Sequence, residues 1–220
     1  VVERHFTDDI GYLESFSVDW KPSENDKLSE NGIIAQKTMN TLLHVFEGYS
    51  ALYQVSGDSR VESSLRWILD IYENRIFDSK QRRLLVFFDE NYNSILDLYS
   101  YGHDIESSWL VDWGCSLLGD MDLIERIASI NSILAQNVYR EGYVNHSLRA
   151  ERDRGVEDET RNWWVQAETV VGCVNQYQLT GDAAWLERAG AQWRFIEKYI
   201  LCPDGEWYWS AIPSADGFVP

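Results

Sequence analysis

The chain has 220 residues, 45% of them hydrophobic, and carries a formal charge of -17 from 36 acidic against 19 basic residues. That is enough apolar material for one substantial core, expected as a single domain over residues 1–220. Such a surface repels phosphate backbones and anionic lipid, and its only basic run is the short "KQRR" at Lys80 to Arg83, so nucleic acid and membrane surfaces are excluded as partners.

No apolar run reaches the roughly 18 residues of a bilayer span, and no charged-then-apolar leader opens the chain. A soluble, cytoplasmic protein is expected. The sequence starts "VVERHF" without an initiator Met, which raises the expectation of a longer parent. Cys115, Cys173 and Cys202 are an odd number at wide spacing, which suits neither a disulfide framework nor a zinc site, and the two in apolar helical stretches read as small buried hydrophobes.

In chain order, "DDIGYLESFSVDW" at Asp8 to Trp20 reads as the tail of a preceding structural unit. The stretch from Thr38 to Tyr53 is a helix apolar on nearly every side, through Met39, Leu42, Leu43, Val45, Phe46, Leu52 and Tyr53, and predicts burial all round. Gly57 and Asp58 then close it and open an amphipathic helix with Val61, Leu65, Ile68, Tyr72 and Ile76 on one face. A β-rich hairpin candidate, "RLLVFFDENYNSI", follows. The same order recurs twice. A helix from about Gly102 leads to Gly119 and Asp120, a second outer helix and the hairpin "EGYVNHSLRAERD". A helix from about Asn162 leads to Gly181 and Asp182, a third outer helix and "GEWYWSAIPSADGF".

The three glycines are 62 residues apart (119 minus 57, 181 minus 119). A fixed period of this size marks a repeat architecture. The repeating unit, buried inner helix then amphipathic outer helix then hairpin, predicts an all-α fold of the α/α-toroid type, incomplete in this chain. Three units account for this chain, and a stack that short leaves open ends with apolar faces.

The phase of the repeat carries the chemistry. Thirteen residues before each glycine stand His44, Glu106 and Glu168. Asn40, His44 and Glu47 form an i, i+4, i+7 stripe on the first inner helix, His103 stands one turn before Glu106 on the second, and Trp164 and Glu168 are i, i+4 on the third. Taken singly, each is a satisfied core group or a cap. Three ionisable groups at one phase are expected instead to line a common cavity, because burial without partners or water is costly. "WW" at Trp163 and Trp164 adjoins that phase and suits an aromatic platform for a sugar ring. The i, i+3 pairs His44/Glu47 and His103/Glu106 have metal-ligand spacing, but too few further ligands converge, so no metal is expected. His5 and His146 are expected at the surface.

At these residues the sequence resembles the N-acylglucosamine 2-epimerase superfamily, most closely its cellobiose 2-epimerase branch. The matching phrases are "SENG" at Ser29 to Gly32, "KTMNTLLHVFEGYSALY" at Lys37 to Tyr53, "SYGHDIESSWL" at Ser100 to Leu110, "ERD" at Glu151 to Asp153 and "TRNWWVQAE" at Thr160 to Glu168. The resemblance implies an (α/α)6 barrel of roughly twice this length and a cofactor-free isomerase. Such an enzyme inverts C2 of the reducing-end glucose of β-1,4-linked disaccharides by ring opening and histidine-mediated proton transfer through an enediolate. His103 matches one of the two acid/base histidines. The other is expected past Pro220, and a substrate-binding arginine before Val1. By the same comparison Asn40 and His44 bind sugar oxygens and assist ring opening, and Glu106 and Glu168 orient the histidines. Trp164 offers a stacking platform, and Trp109 matches a family tryptophan that packing would explain equally well. A complete barrel is expected to be a monomer.

Other readings stay open at this point. An N-acylglucosamine 2-epimerase or an aldose-ketose isomerase would use the same enediolate chemistry. A glycoside hydrolase on an α/α toroid would use Glu106 and Glu168 as acid and base. A non-catalytic sugar-binding relative would use neither.

Overall fold

Each Gly-Asp pair is a helix junction in the computed structural model, which describes residues 2–21, 23–25 and 32–220. The phrase "SENG" falls largely outside the described residues. Gly57, Gly119 and Gly181 all take left-handed backbone angles, φ 59°, 65° and 71°, which a side chain would strain. Asp58, Asp120 and Asp182 each accept a hydrogen bond from a first-turn backbone N–H of the helix that follows, those of Arg60, Leu123 and Ala184. Such a cap stabilises a helix by about 1 kcal/mol.

The chain forms two compact units. The first comprises residues 1–80 and 84–97, the second 81–83 and 98–220. In chain order, the elements up to residue 97 are α1 (Val2–His5), β1 (Lys37–Thr38), α2 (Met39–Ser56) and α3 (Ser59–Ile71). A π-helical turn (Tyr72–Ile76), β2 (Phe77–Asp78), β3 (Arg83–Leu84) and β4 (Phe87–Phe88) complete them. α2 begins where Thr38 Oγ1 accepts the Thr41 N–H, and the Glu14 carboxylate receives both threonine hydroxyls at 2.6 Å. α2 packs against α3, and Leu42 and Phe46 on the one and Leu65 and Ile68 on the other are all essentially buried. The "RLLVFFDENYNSI" stretch is used differently from a simple hairpin: Phe87 and Phe88 pair antiparallel with Thr38 and Lys37, and the return is only a bridge from Phe88 to Ser94.

The second unit holds two repeats. Its elements are β5 (Leu98–Ser100), α4 (Tyr101–Ser116), α5 (Met121–Glu141), β6 (Tyr143–Val144), β7 (Ser147–Leu148), β8 (Glu151–Asp153), β9 (Val156–Asp158), β10 (Arg161–Asn162), α6 (Trp163–Thr180), α7 (Ala183–Tyr199), β11 (Ser210–Ser214) and β12 (Gly217–Val219). The predicted inner-helix starts at Gly102 and Asn162 lie within a residue of those observed. β5, β8 and β9 form one antiparallel sheet, and β10, β11 and β12 another. Tyr99, Tyr101, Ile105, Val138, Leu148 and Val165 form the core between the helix pairs. Cys115 and Cys173 are buried and in no disulfide, and burial pushes the Cys173 thiol up to about 12.

A second periodicity lies in the strands. In every repeat the strand leading into the inner helix pairs with a strand that follows the outer helix. One paired position of that strand recurs at the same period, as Lys37, Tyr99 and Arg161 (99 minus 37 and 161 minus 99 are both 62). All three side chains are buried. Two are cations, which burial tolerates only with partners. Lys37 Nζ donates to Asp8 Oδ2 at 2.5 Å and to the Glu90 carbonyl at 2.8 Å. Arg161 Nε donates to Ser147 Oγ at 2.9 Å, and its guanidinium meets the Glu159 backbone carbonyl and carboxylate.

Asp8 therefore lends the first unit a measurable acid sensitivity. Burial alone would raise its carboxyl. Hydrogen bonds from Lys37 Nζ and from the backbone N–H groups of Ile10 and Gly11 outweigh that and hold it below the ordinary value of 3.8. A depressed carboxyl contributes stability above its unfolded value, and loses it as pH falls through its folded value. Asp8→Asn is expected to lower the melting temperature at neutral pH by leaving the Lys37 ammonium poorly compensated. The gap from the native protein should narrow as pH drops below about 4. A gap constant from pH 2 to 7 would contradict this pairing.

One expectation for α2 is corrected. Burial all round does not hold: Met39, Leu42, Leu43, Phe46 and Ser50 form a buried face, whereas Leu52 is 46% exposed and Asn40, His44 and Glu47 are exposed as well. A helix rich in apolar residues on every side reads as buried by composition, but only one of its faces meets α3 and the strand pair.

Candidate active site

α4 starts at an unusual cap. Ser100 has the extended conformation of an N-cap (φ -89°, ψ 101°), yet its hydroxyl makes no bond to the helix N–H groups. Its Oγ lies instead 2.7 Å from His103 Nδ1. This bond fixes the imidazole plane. With Nδ1 as the donor, Nε2 presents a lone pair, the form a proton acceptor needs.

Against that ring stands α6. The His103 and Trp164 ring centroids are 4.9 Å apart with planes inclined at 55°. A glycine makes the approach possible: a Cβ on Gly102 would lie 2.5 Å from Trp164 Cη2 and 2.7 Å from Val165 Cγ2. Farther along, a Cβ on Gly172 would lie 2.6 Å from Ile105 Cγ1, and the Asn175 side-chain amide donates toward the Ser108 carbonyl. Contacts therefore advance in the same direction along both helices, so α4 and α6 run parallel, each followed by an outer helix packed against it, α5 and α7.

Two turns beyond His103, Trp109 Nε1 donates to Glu168 Oε2 at 2.8 Å. A hydrogen bond to an ionised acceptor is among the stronger ones, and it gives the carboxylate a set orientation. Glu106 lies between these pairs on α4, one turn from His103, and is buried. The structure thus brings His103 to Trp164 and Trp109 to Glu168 across a single helix–helix seam, with Glu106 on the same helix. Asn40 and His44 belong to the first unit, on the exposed face of α2. There His44 Nδ1 is 3.0 Å from Glu47 Oε2, with side chains 46% and 48% exposed. The polar stripe of Asn40, His44 and Glu47 is therefore exposed along its whole length. Trp163 is partly exposed and packs edge-on to Trp207. His146 is exposed in the β6–β7 turn, as expected, while His5 is partly buried and stacks on Trp20 at 5.4 Å.

Two polar devices escape the sequence reading. Ser100 is one, though a serine at an N-cap with histidine three residues on was a usable signal. The other is Asp112, which accepts from Asn131 Nδ2 at 2.7 Å and Asn175 Nδ2 at 3.0 Å and so ties α4 to both α5 and α6. Burial raises its carboxyl, with the two amide hydrogen bonds acting the other way. Among the described residues no three His, Cys, Asp or Glu side chains converge as a metal site, and no helix is long and apolar enough to cross a membrane.

Repeated helix pairs in which the inner helices α4 and α6 run parallel define the class: an α/α toroid. A solved sugar epimerase from a ruminal bacterium superimposes on the whole chain with a TM-score of 0.95 at 39% identity, over 56% of its own length. The structure of cellobiose 2-epimerase from Bacillus thermoamylovorans does so with a TM-score of 0.92 at 37% identity, over 57% of its length. In sequence, cellobiose 2-epimerase of Ruminococcus albus is 41% identical over 209 residues, which is 94% of this chain and 54% of that protein. The N-acylglucosamine 2-epimerase (GlcNAc 2-epimerase) family pattern matches residues 4–216. The chain belongs to this family, and it spans about half the length of the curated relatives it matches.

Proposed function

We propose that this chain is the part of a sugar 2-epimerase that carries one of its two proton-transfer groups, acting on the reducing-end glucose of a β-1,4-linked disaccharide such as cellobiose. The observation that carries the reading is the His103 imidazole, held by Ser100 through Nδ1 and flanked by the Trp164 indole. It is supported by 35–41% identity to proteins named cellobiose 2-epimerase.

On this reading the sugar opens to its aldehyde, in which the carbonyl at C1 makes the C2 proton removable. His103 Nε2 takes that proton while the C2–H electron pair forms the enediolate double bond and the former carbonyl oxygen takes the charge. A second acid, outside this chain, delivers a proton to the opposite face of C2. A group that serves as base in one direction and acid in the other works best with a pKa near the working pH, which imidazole supplies. Glu106 and Glu168 supply negative charge that favours the imidazolium formed in the first step. Trp164 and Trp109 provide flat apolar surface for a sugar ring. Asn40 and His44, one turn apart and exposed, contact sugar oxygens and assist ring opening.

The complete protein incubated with cellobiose should yield the glucosyl-mannose epimer, read by the anomeric proton signals. Free glucose as the product would favour the hydrolase reading, and a ketose would favour the isomerase. Either would overturn the assignment.

A further inference from the structure

A cavity of about 720 Å³ lies in the second unit, between α7, the β6–β7 turn and the β11–β12 hairpin, and none of the candidate catalytic residues lines it. Its size is within the range of small-molecule sites, about 300 to 1,000 Å³. Its wall is packed rather than incidental. Phe218 meets Phe195 edge-to-face at 4.9 Å and Tyr199 at 5.4 Å, and the Arg161 guanidinium lies 5.1 Å from the Phe218 ring. Gly217, with φ 125°, passes Tyr199 so closely that a Cβ would lie 2.7 Å from the phenolic oxygen.

The charge on this wall runs against that of the chain. In a protein of net charge -17, the cavity is lined by Arg161, Arg194 and Lys198, with Glu159 as its one acidic residue. Glu159 is already engaged, by Arg149 at 2.6 Å and Arg161 at 3.5 Å. Arg194 and Lys198 are one turn apart on α7, exposed, and have no carboxylate partner among the described residues; Lys198 lies over the Tyr199 ring at 4.7 Å. Two uncompensated cations beside an aromatic wall match a dianion carried on a compact ring.

We propose that this cavity binds a phosphate monoester of a small ring compound, a sugar phosphate in chemical class. The phosphate sits between the Arg194 guanidinium and the Lys198 ammonium, and the ring lies against Tyr199 and Phe218. Arginine suits the phosphate because its fork can donate two parallel hydrogen bonds.

The test uses the complete protein and calorimetric titration with glucose 6-phosphate at pH 8, where the ester is a dianion, with glucose and inorganic phosphate as separate probes. Glucose 6-phosphate should bind, and the double variant Arg194→Ala/Lys198→Ala should bind it at least tenfold more weakly with an unchanged melting temperature. Raised salt should weaken binding to the native protein more than to the variant. Affinity unchanged in the double variant would place the ligand elsewhere and overturn the proposal, as would no binding at millimolar ester. Equal binding of inorganic phosphate and the ester would overturn the role given to the aromatic wall.

Discussion

His103→Ala in the complete protein is expected to lower the rate of C2 inversion by ~10²–10⁴, the usual contribution of a positioned proton-transfer group. The melting temperature should hardly change. His103 is only partly buried, so truncating it removes little core packing. Ser100→Ala gives the graded comparison. It keeps the imidazole and removes its anchor, so activity should fall less and the pH-rate profile should move. The loss should lie in kcat more than in KM, because the anchor serves proton transfer and not sugar binding. If Ser100→Ala and His103→Ala were equally damaging and both lowered the melting temperature, the pair would be a structural hydrogen bond at a helix start.

The largest stability effect is expected at Gly172. Glycine to alanine inside an exposed helix normally stabilises, by about 1 kcal/mol. Gly172 is different because a new Cβ would stand 2.6 Å from Ile105 Cγ1 and 3.2 Å from the Ile105 carbonyl oxygen, and the backbone cannot turn aside as a side-chain tip can. Gly172→Ala should therefore destabilise by about 1 to 3 kcal/mol, the range for overpacked cores, read by urea denaturation. It should also lower activity by spreading the seam that joins His103 to Trp164 and Trp109 to Glu168. Gly48→Ala on α2 is the control: nothing lies within 4 Å of its added Cβ, so the ordinary gain should appear. A shorter side chain in Ile105→Ala should rescue part of the Gly172→Ala loss, since the two residues touch and their effects should not add. Equal behaviour of the two glycine variants would refute the close approach.

What could be read without coordinates follows the range of each interaction. The Gly-Asp junctions are local, since one residue supplies the left-handed angle and the next the cap, and all three stand where the 62-residue spacing puts them. The hairpins at Asn145–His146 and Ala215–Asp216 were equally legible from turn residues between β-rich runs. Burial was less so. Asn40, His44 and Glu47 form a polar stripe by spacing, but spacing cannot tell a solvated stripe from one facing a cavity. Ser100 left a local signal, a serine at a helix start with histidine three residues on, but the cap bond ordinary for such a serine is replaced by the bond to the imidazole. The pairs Trp109 to Glu168 and Lys37 to Asp8 are long-range partners that no local pattern announces. The repeat phase had nonetheless put Glu106 and Glu168 at matching positions on α4 and α6.

The most direct test of the central claim follows the C2 proton itself. The complete protein is turned over with cellobiose in D2O, and the sugar is examined for deuterium at C2 by NMR and mass spectrometry. Proton removal by His103 and return from the opposite face should place deuterium at C2 of the glucosyl-mannose formed, and His103→Ala, still folded, should lose both the epimer and the label. An epimer formed without deuterium at C2 in any turnover, or full labelling in the His103→Ala protein, would contradict the role assigned to His103.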